Sequence, residues 1–149
     1  MLDPDDAGPA FGQSALAALS EEGGPLRGAR VAFRHVRYDW AEVADLEPVL
    51  REAHAKGALA ICLSEGGLFE YGSDSEIEAN LKVLRTSAEV LAVVGSVTRA
   101  DEPAQRLHKT SAAAIHLRGL DAFRTLAQKA GWNVTRVIER PFSDQFVLT

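Results

Sequence analysis

The sequence predicts an α/β fold, with helices on both faces of a parallel sheet. Helical and strand patterns alternate along the 149 residues. Two runs in the middle of the chain, 58–63 and 88–97, are almost wholly apolar, which is typical of strands buried on both faces. Two β-rich runs, 134–138 and 145–149, end the chain and flank a short turn that contains proline, serine and aspartate. Because only an antiparallel partner can follow so short a turn, we expect the sheet to end on an antiparallel hairpin.

The first half of the chain predicts a helix, a strand and a second helix. Apolar residues recur at helical spacing over 11–19, and glycines and a proline follow them. Residues 31–38 alternate in character as a strand does. The next apolar helical face covers 43–53. Either Pro48 disturbs this helix, or the helix begins at Asp45 and Pro48 lies in its first turn.

The second half continues the alternation. A loop with adjacent glycines, 64–72, precedes a helix whose candidate caps are the serines and the aspartate at 73–75. The stretch 98–117 is irregular and polar and predicts a loop with one short helix. A clean helical pattern over 118–131 ends on a glycine. The length is that of one domain, so we expect residues 1–149 to form a single unit.

The composition excludes several classes of protein. The formal net charge is -5 and no basic block interrupts it, which argues against a nucleic-acid partner. No apolar run approaches the roughly 20 residues of a membrane span, and the acidic N-terminus is unlike a signal peptide, so a cytoplasmic location is expected. A single cysteine, Cys62, precludes an internal disulfide. The four histidines lack metal-ligand spacing, so no metal site is predicted.

The ending of the chain, LAQKAGWNVTRVIERPFSDQFVLT over 126–149, resembles that of the class I S-adenosylmethionine-dependent methyltransferases. In that family the last strand inserts antiparallel into a Rossmann-like sheet that is otherwise mostly parallel. The resemblance implies that the final strand lies between the strand at 89–97 and the strand at 134–140. It can be extended over nearly the whole chain by the order and spacing of the other elements.

The resemblance also implies a site for S-adenosylmethionine. Asp3, in LDPD, matches the acidic residue that binds the ribose hydroxyls, since a carboxylate can accept hydrogen bonds from both. Asp39 matches the acidic residue facing the adenine amino group, with Trp40 beside it as a stacking face. Ser64 follows the strand whose loop lies next to the methyl group. Glu65, in the same loop, is the candidate catalytic residue, which would bind a small-molecule acceptor or take its proton.

Each candidate also has a purely structural alternative. Asp3 belongs to an acidic terminus that could simply be solvated. Asp39 could cap a helix or end a strand, and Trp40 could pack in the core. Glu65 could be a loop glutamate whose carboxylate is bound by the local backbone. The sequence leaves these alternatives open.

The sequence departs from the family pattern at its amino end. The family's first strand ends in a glycine-rich loop that packs against the methionine part of the cofactor, but neither G-x-G-x-G nor G-x-G-x-x-G occurs here. On the family's strand order the chain begins at the end of strand two, so the N-terminal strands are missing and the domain is truncated. The strand at 31–38 should therefore pair directly with 58–63, or each should leave a bare edge open to a homodimer.

These observations predict a methyltransferase-like domain that acts on a small molecule and is incomplete as this chain. It would be an enzyme only if the glycine-rich cofactor loop were supplied. The alternative is a non-catalytic binding or assembly module that retains the sheet without binding the cofactor. A nucleotide-binding domain of another doubly wound family is a third interpretation, which the terminal hairpin disfavours.

Overall fold

A computed structural model describes residues 1–64, 67–110 and 115–149, without the side chain of Leu107. The chain divides into two units, Met1–Glu42 and Val43–Thr149, and each is described by itself. The expectation of one domain over the whole chain stays a prediction.

The unit Met1–Glu42 is built on two short parallel strands and one helix. Strand β1 (Leu2–Asp3) pairs with β2 (Val36–Arg37), and helix α1 (Ala7–Ser20) lies between them in the chain. The strand expected over 31–38 is therefore present only near its end. Among the described residues no strand pairs with the rest of this run, so its backbone groups have no ladder to join.

The unit Val43–Thr149 alternates helices and strands. A 3₁₀ turn (Val43–Asp45) precedes the first helix of this unit. The order of the elements then follows the sequence prediction, except that a short helix, Leu68–Tyr71, lies within the predicted loop 64–72. The elements are α2 (Leu46–Ala55), β3 (Ala60–Ser64), α3 (Leu68–Tyr71), α4 (Asp74–Arg85), β4 (Val90–Thr98), α5 (Glu102–Thr110), α6 (Gly119–Lys129), β5 (Val134–Glu139) and β6 (Ser143–Leu148).

The helix boundaries have local causes that the sequence indicates. Pro48 is the third residue of α2, where a missing backbone N–H costs no helical hydrogen bond. Helix α4 begins with a capping box, in which Ser73 Oγ accepts from the N–H of Glu76 and the Glu76 carboxylate accepts from the N–H of Ser73. Gly131, after α6, has φ +85°, a left-handed conformation that glycine adopts without strain.

The four-stranded sheet has the order β3-β4-β6-β5. Strands β3 and β4 are parallel, whereas β6 is antiparallel to both β4 and β5. The predicted place of the last strand, between the 89–97 strand and its hairpin partner, is confirmed. The sheet is mixed, so the expectation of a mostly parallel sheet is met only in part: β6 alone contributes both antiparallel ladders.

The hydrophobic core covers one face of this sheet. Its centre is a cluster of three rings, with centroid distances of 5.1 Å for Phe69–Phe123, 5.1 Å for Phe69–Phe146 and 4.2 Å for Phe123–Phe146. Such edge-on and tilted contacts are favourable because ring edges are positive and ring faces negative. The other buried members are Ile77, Leu81, Val90, Val93, Val97, Leu126, Ala127, Ala130, Trp132 and Leu148.

Strand β3 corrects the expectation that the run 58–63 is buried on both faces. Ala60 and Cys62 pack against the core, but Ile61 is 60% exposed and Leu63 is 76% exposed. The alternation shows that one face of this strand is covered and the other is open. An apolar run reports a preference for burial, and whether both faces are covered depends on the neighbouring elements.

None of the helices in the described parts of the chain is long and apolar enough to cross a membrane.

An ion pair joins α2 to the residues that precede β4. His54 Nδ1 lies 2.6 Å from Glu89 Oε1, and Ser87 Oγ donates to Glu89 Oε2 at 2.7 Å. The hydrogen bond with His54, followed by that from Ser87, lowers the pKa of Glu89 from about 4.5 to about 2. Because the folded-state pKa lies below the unfolded value, this group stabilises the fold above pH 4.5, and the contribution is lost as the pH falls toward 2.

We therefore expect Glu89→Gln to lower the melting temperature most above pH 5 and progressively less below pH 4.5. The measurement is thermal unfolding, followed by circular dichroism, at intervals between pH 2.5 and pH 7. Glu47→Gln is the matched control, because Glu47 forms an exposed pair with Arg51 on the same helix. A wild-type-to-variant difference that stays constant over this range would contradict the assignment.

Candidate functional site

Ligands of open α/β sheets bind beyond the carboxyl ends of the parallel strands. In the first unit, Asp3 is the last residue of β1, and Asp39 follows β2 by two residues. Because β1 and β2 are parallel and Asp3 is in register with Arg37, the two aspartates lie at the same edge of this two-stranded sheet. The structure thus brings these two predicted cofactor residues to one edge.

Each of these aspartates also closes a local turn. Asp3 Oδ1 accepts from the N–H of Asp5 at 3.0 Å, and Asp39 Oδ1 accepts from the N–H of Ala41 at 3.0 Å. An ionised carboxylate has about four acceptor positions, so a turn hydrogen bond leaves capacity for a ligand. Asp3 is half-buried, Asp39 is exposed, and Trp40 is half-buried.

In the second unit, Ser64 marks the carboxyl end of β3. It is half-buried and stands in register with Gly95 of β4. The candidate catalytic residue Glu65 lies outside the described residues, as does Gly66. The roles proposed for Asp3, Asp39, Trp40, Ser64 and Glu65 all stay predictions.

Gly95 allows helix α3 to lie against the sheet at this end. A Cβ atom built on Gly95 would come within 2.5 Å of the Ser64 carbonyl oxygen and 2.8 Å of the Phe69 ring. Neither distance is tolerable, and the carbonyl belongs to the backbone of the neighbouring strand. Only glycine at this position permits Phe69 to reach the core while β3 and β4 stay paired.

Arg118 holds the segment after β3 in place. Its side chain is 5% exposed and donates to Asp74 Oδ1 at 2.7 Å, to the Phe69 carbonyl at 2.8 Å and to the Gly72 carbonyl at 2.9 Å. The planar guanidinium suits this role because its donors are fixed in a fork. Helix α3, which begins four residues beyond Ser64, is thereby anchored to the start of α6.

Two polar side chains form a pair beside α3. Ser96 of β4, which is buried, has its hydroxyl 3.5 Å from Glu70 Oε1. The Glu70 carbonyl accepts from the N–H of His116 at 2.8 Å. The carboxyl ends of β3 and β4 therefore carry hydroxyl and carboxylate groups, which can donate to, or accept from, a polar ligand.

A charged cluster lies where β4, β5 and β6 meet at the same edge. Arg99 Nε is 2.7 Å from Asp101, and its Nη1 is 3.5 Å from Asp144 and 3.9 Å from Glu139. The hydrogen bond to Asp101, followed by the charge of Asp144, raises the pKa of Arg99. The backbone N–H of Ala104 has the largest effect on the pKa of Asp101 and lowers it, and the hydrogen bond from Arg99 lowers it further. The cluster holds the start of β6 against the end of β4.

Sequence reasoning did not identify the polar residues near the carboxyl ends of β3 and β4, which are Arg118, Glu70, Ser96 and Arg99. Asp74 and Arg118 are 44 positions apart, and neither lies in a recognisable motif. A weak signal existed only for Ser96 and Arg99, which stand at and just beyond the end of a predicted buried strand.

The second unit has a concavity of about 420 Å³ around His54 and Glu89. A concavity of about 210 Å³ lies on the outer face of the sheet near Val94 and Ile138. Neither is lined by Ser64 or Ser96. Among the residues with described positions, no group of three or more His, Cys, Asp or Glu side chains could hold a metal ion.

Comparison with known proteins identifies the fold. No protein-family model and no curated protein sequence matches the chain. A solved structure does match: magnesium protoporphyrin IX methyltransferase from Synechocystis PCC 6803 with bound SAH (S-adenosylhomocysteine), at a TM-score of 0.51 and 11% identity. The match covers 92% of this chain and 56% of the methyltransferase, so the chain spans little more than half of that protein. The likeness shows that the chain has a methyltransferase-like fold.

Proposed function

We propose that this chain is a methyltransferase-like domain that uses S-adenosylmethionine, acts on a small molecule and is incomplete by itself. The observation that carries the proposal is the insertion of β6, antiparallel, between β4 and β5. That arrangement is the one the family resemblance implies. The similar fold of a methyltransferase with bound SAH supports the choice of cofactor.

The cofactor-binding roles are assigned to residues at the carboxyl ends of strands. Asp3 would accept hydrogen bonds from the ribose hydroxyls, and Asp39 would accept from the adenine amino group. Trp40 would stack on the base, and Ser64 would lie near the sulfonium. Charge-assisted hydrogen bonds of this kind are shorter and stronger than neutral ones, so the two aspartates should contribute most to affinity.

Glu65 is proposed as the residue that orients the acceptor and takes its proton. In methyl transfer the sulfonium is already a strong electrophile, so the protein mainly aligns the acceptor and removes a proton when needed. The Arg118 contacts would support this role indirectly, because they fix α3, which begins three residues after Glu65 in the sequence.

The absence of a glycine-rich loop motif favours a second candidate function. A chain without G-x-G-x-G lacks the backbone surface that packs against the methionine part of the cofactor. Such a chain could serve as a non-catalytic binding or assembly module that retains the sheet. Cofactor affinity separates the two candidates.

The test is a calorimetric titration of the 149-residue chain with S-adenosylhomocysteine. We expect measurable binding that Asp39→Asn weakens by about tenfold or more, since a hydrogen bond to a charged group contributes roughly 1.5–3 kcal/mol. Asparagine retains an oxygen that can accept from Ala41, so the local turn is preserved. Glu22→Ala, at an exposed position of the same unit, is the control and should bind as the wild type does.

Two results would contradict the proposal. No heat from a folded sample at millimolar ligand would overturn cofactor binding by this chain and favour the non-catalytic module. Binding that Asp39→Asn leaves unchanged would overturn the assignment of Asp39 to the adenine.

A further inference from the structure

Strand β3 is the edge of the four-stranded sheet. One side pairs with β4, and within the described residues no strand pairs with the other side. The N–H of Ala60 donates to the Glu89 carbonyl at 2.8 Å, toward β4. Because backbone groups of successive strand residues point to opposite sides, the N–H and C=O groups of Ile61 and Leu63 point to the open side. The edge thus offers four backbone groups that no strand of the described residues pairs with.

The same two residues carry the exposed apolar side chains of the strand. Ile61 is 60% exposed and Leu63 is 76% exposed, and Leu59, at 75%, extends the patch. Natural edge strands are usually protected by charged residues, proline or a bulge within the strand. Residues 60–64, Ala-Ile-Cys-Leu-Ser, contain neither charge nor proline. The ladder with β4 shifts register between Ala60 and Ile61, but the extra residue, Leu91, belongs to β4 and not to the edge strand. This edge is therefore suited to pairing with another strand.

We propose that the occupant is β3 of a second copy of this chain, antiparallel to the first about a two-fold axis that passes beside Cys62. A two-fold interface brings the same patch of both copies together. In this register Ile61 pairs with Leu63 of the second copy, and Leu63 with Ile61, so all four outward backbone groups of each copy form hydrogen bonds. The four apolar side chains then meet on one face, and the two sheets become one of eight strands.

The sequence of β3 is complementary to itself in this register. Its two outward-facing residues are both large and aliphatic and lie symmetrically about Cys62, and no charge opposes its copy across the axis. Cys62 then stands opposite Cys62 of the second copy in a non-hydrogen-bonded pair, whose Cα atoms are about 4.5 Å apart. That separation lies within the range of disulfide geometry, roughly 4.4–6.8 Å.

The area available makes the predicted dimer weak and dependent on concentration. Burial stabilises by about 25 cal/mol per Å² of apolar surface, so fully burying one leucine or isoleucine side chain removes roughly 60–120 Å² of apolar surface from water. Three partly exposed side chains per copy supply less than the roughly 800 Å² per partner of a standard interface. Each copy also carries a net charge of -5, so association should strengthen as salt screens the repulsion.

The first test is sedimentation velocity of the chain between about 5 and 500 μM in 150 mM salt with reductant. We expect a reversible monomer–dimer equilibrium. Leu63→Lys should weaken association at least tenfold, because it replaces the apolar contact with Ile61 of the second copy by a charge and places two like charges on either side of the axis. Leu63→Pro should have a similar effect, since it removes an outward N–H without touching the β4 ladder. Phe142→Lys is the control: Phe142 is 52% exposed, in the β5–β6 turn, and its substitution should leave the equilibrium unchanged.

The second test uses Cys62 to report the register. Oxidation of the dimer with diamide at pH 8.5 should give a disulfide-linked dimer on non-reducing gels, and Leu63→Lys should abolish it. The alkaline pH is needed because burial raises the pKa of the Cys62 thiol.

A monomer at all concentrations would overturn the proposal and leave the edge to a different chain. A dimer that survives both Leu63 variants would place the interface elsewhere. The test is independent of the cofactor experiment.

Discussion

Trp132→Ala is expected to lower the free energy of unfolding by about 3–5 kcal/mol, the usual cost of removing a buried aromatic ring. Trp132 is 1% exposed and belongs to the core cluster. Its Nε1 donates to the Leu81 carbonyl at 2.9 Å, and the Arg85 guanidinium lies 4.8 Å from the ring centroid. The ring therefore joins the end of α6 to α4, and its loss leaves a cavity between them.

The substitution Trp132→Phe separates the contribution of the packed ring from that of its hydrogen bond. Phenylalanine retains most of the packing but cannot donate to Leu81, so we expect a loss of only about 1–2 kcal/mol. Phe142→Ala, at an exposed position, should change stability by less than about 0.5 kcal/mol. The measurement is urea unfolding followed by circular dichroism. A loss below 1 kcal/mol for Trp132→Ala would contradict the placement of this ring in the core.

Arg118→Ala is expected to destabilise the fold by about 2–4 kcal/mol, because hydrogen bonds from a charged group contribute roughly 1.5–3 kcal/mol and neighbouring ones are not additive. The substitution removes the donors to the Phe69 and Gly72 carbonyls together with the ion pair to Asp74. Arg118→Lys should recover little, since an ammonium group lacks the fork that reaches all three acceptors.

The distinctive readout of the Arg118 variants is local hydrogen exchange. The amides of Tyr71 and Gly72, which donate to the carbonyls of Gly67 and Leu68, should exchange faster than in the wild type. Arg124→Ala removes a partly exposed arginine from α6, one that pairs with Asp121, and should alter neither stability nor exchange appreciably. If exchange at α3 were unchanged in Arg118→Ala, Arg118 would not be the anchor of this segment.

The hairpin shows what sequence reasoning can predict about the fold. The turn between the last two β-rich runs is too short for a crossover, so their antiparallel pairing followed from chain geometry alone. The position of β6 beside β4 came from the family resemblance, and the strand order confirms it. Helix boundaries such as the Ser73 capping box were also predictable, because their hydrogen bonds connect residues within one turn.

The candidate site was predictable only in part. The family resemblance implied that Asp3 and Asp39 lie at strand ends, and the register of β1 with β2 puts them at one edge. No pattern in the sequence indicated that Arg118 would bind backbone carbonyls 46 and 49 positions away. The acceptors are main-chain atoms, which every residue has, so no side-chain pattern could have marked them.

The sequence by itself determined the α/β alternation, the helix ends and the hairpin, because each depends on the spacing and chemistry of residues near one another in the chain. The tertiary structure decided which apolar residues are covered and which long-range contacts form. The run 31–38 pairs with β1 at Val36–Arg37, although a longer strand was predicted. Ile61 and Leu63 are exposed, although their sequence context predicts burial. Pairing and burial depend on the neighbour that the fold supplies, and a residue's own preference cannot specify that neighbour.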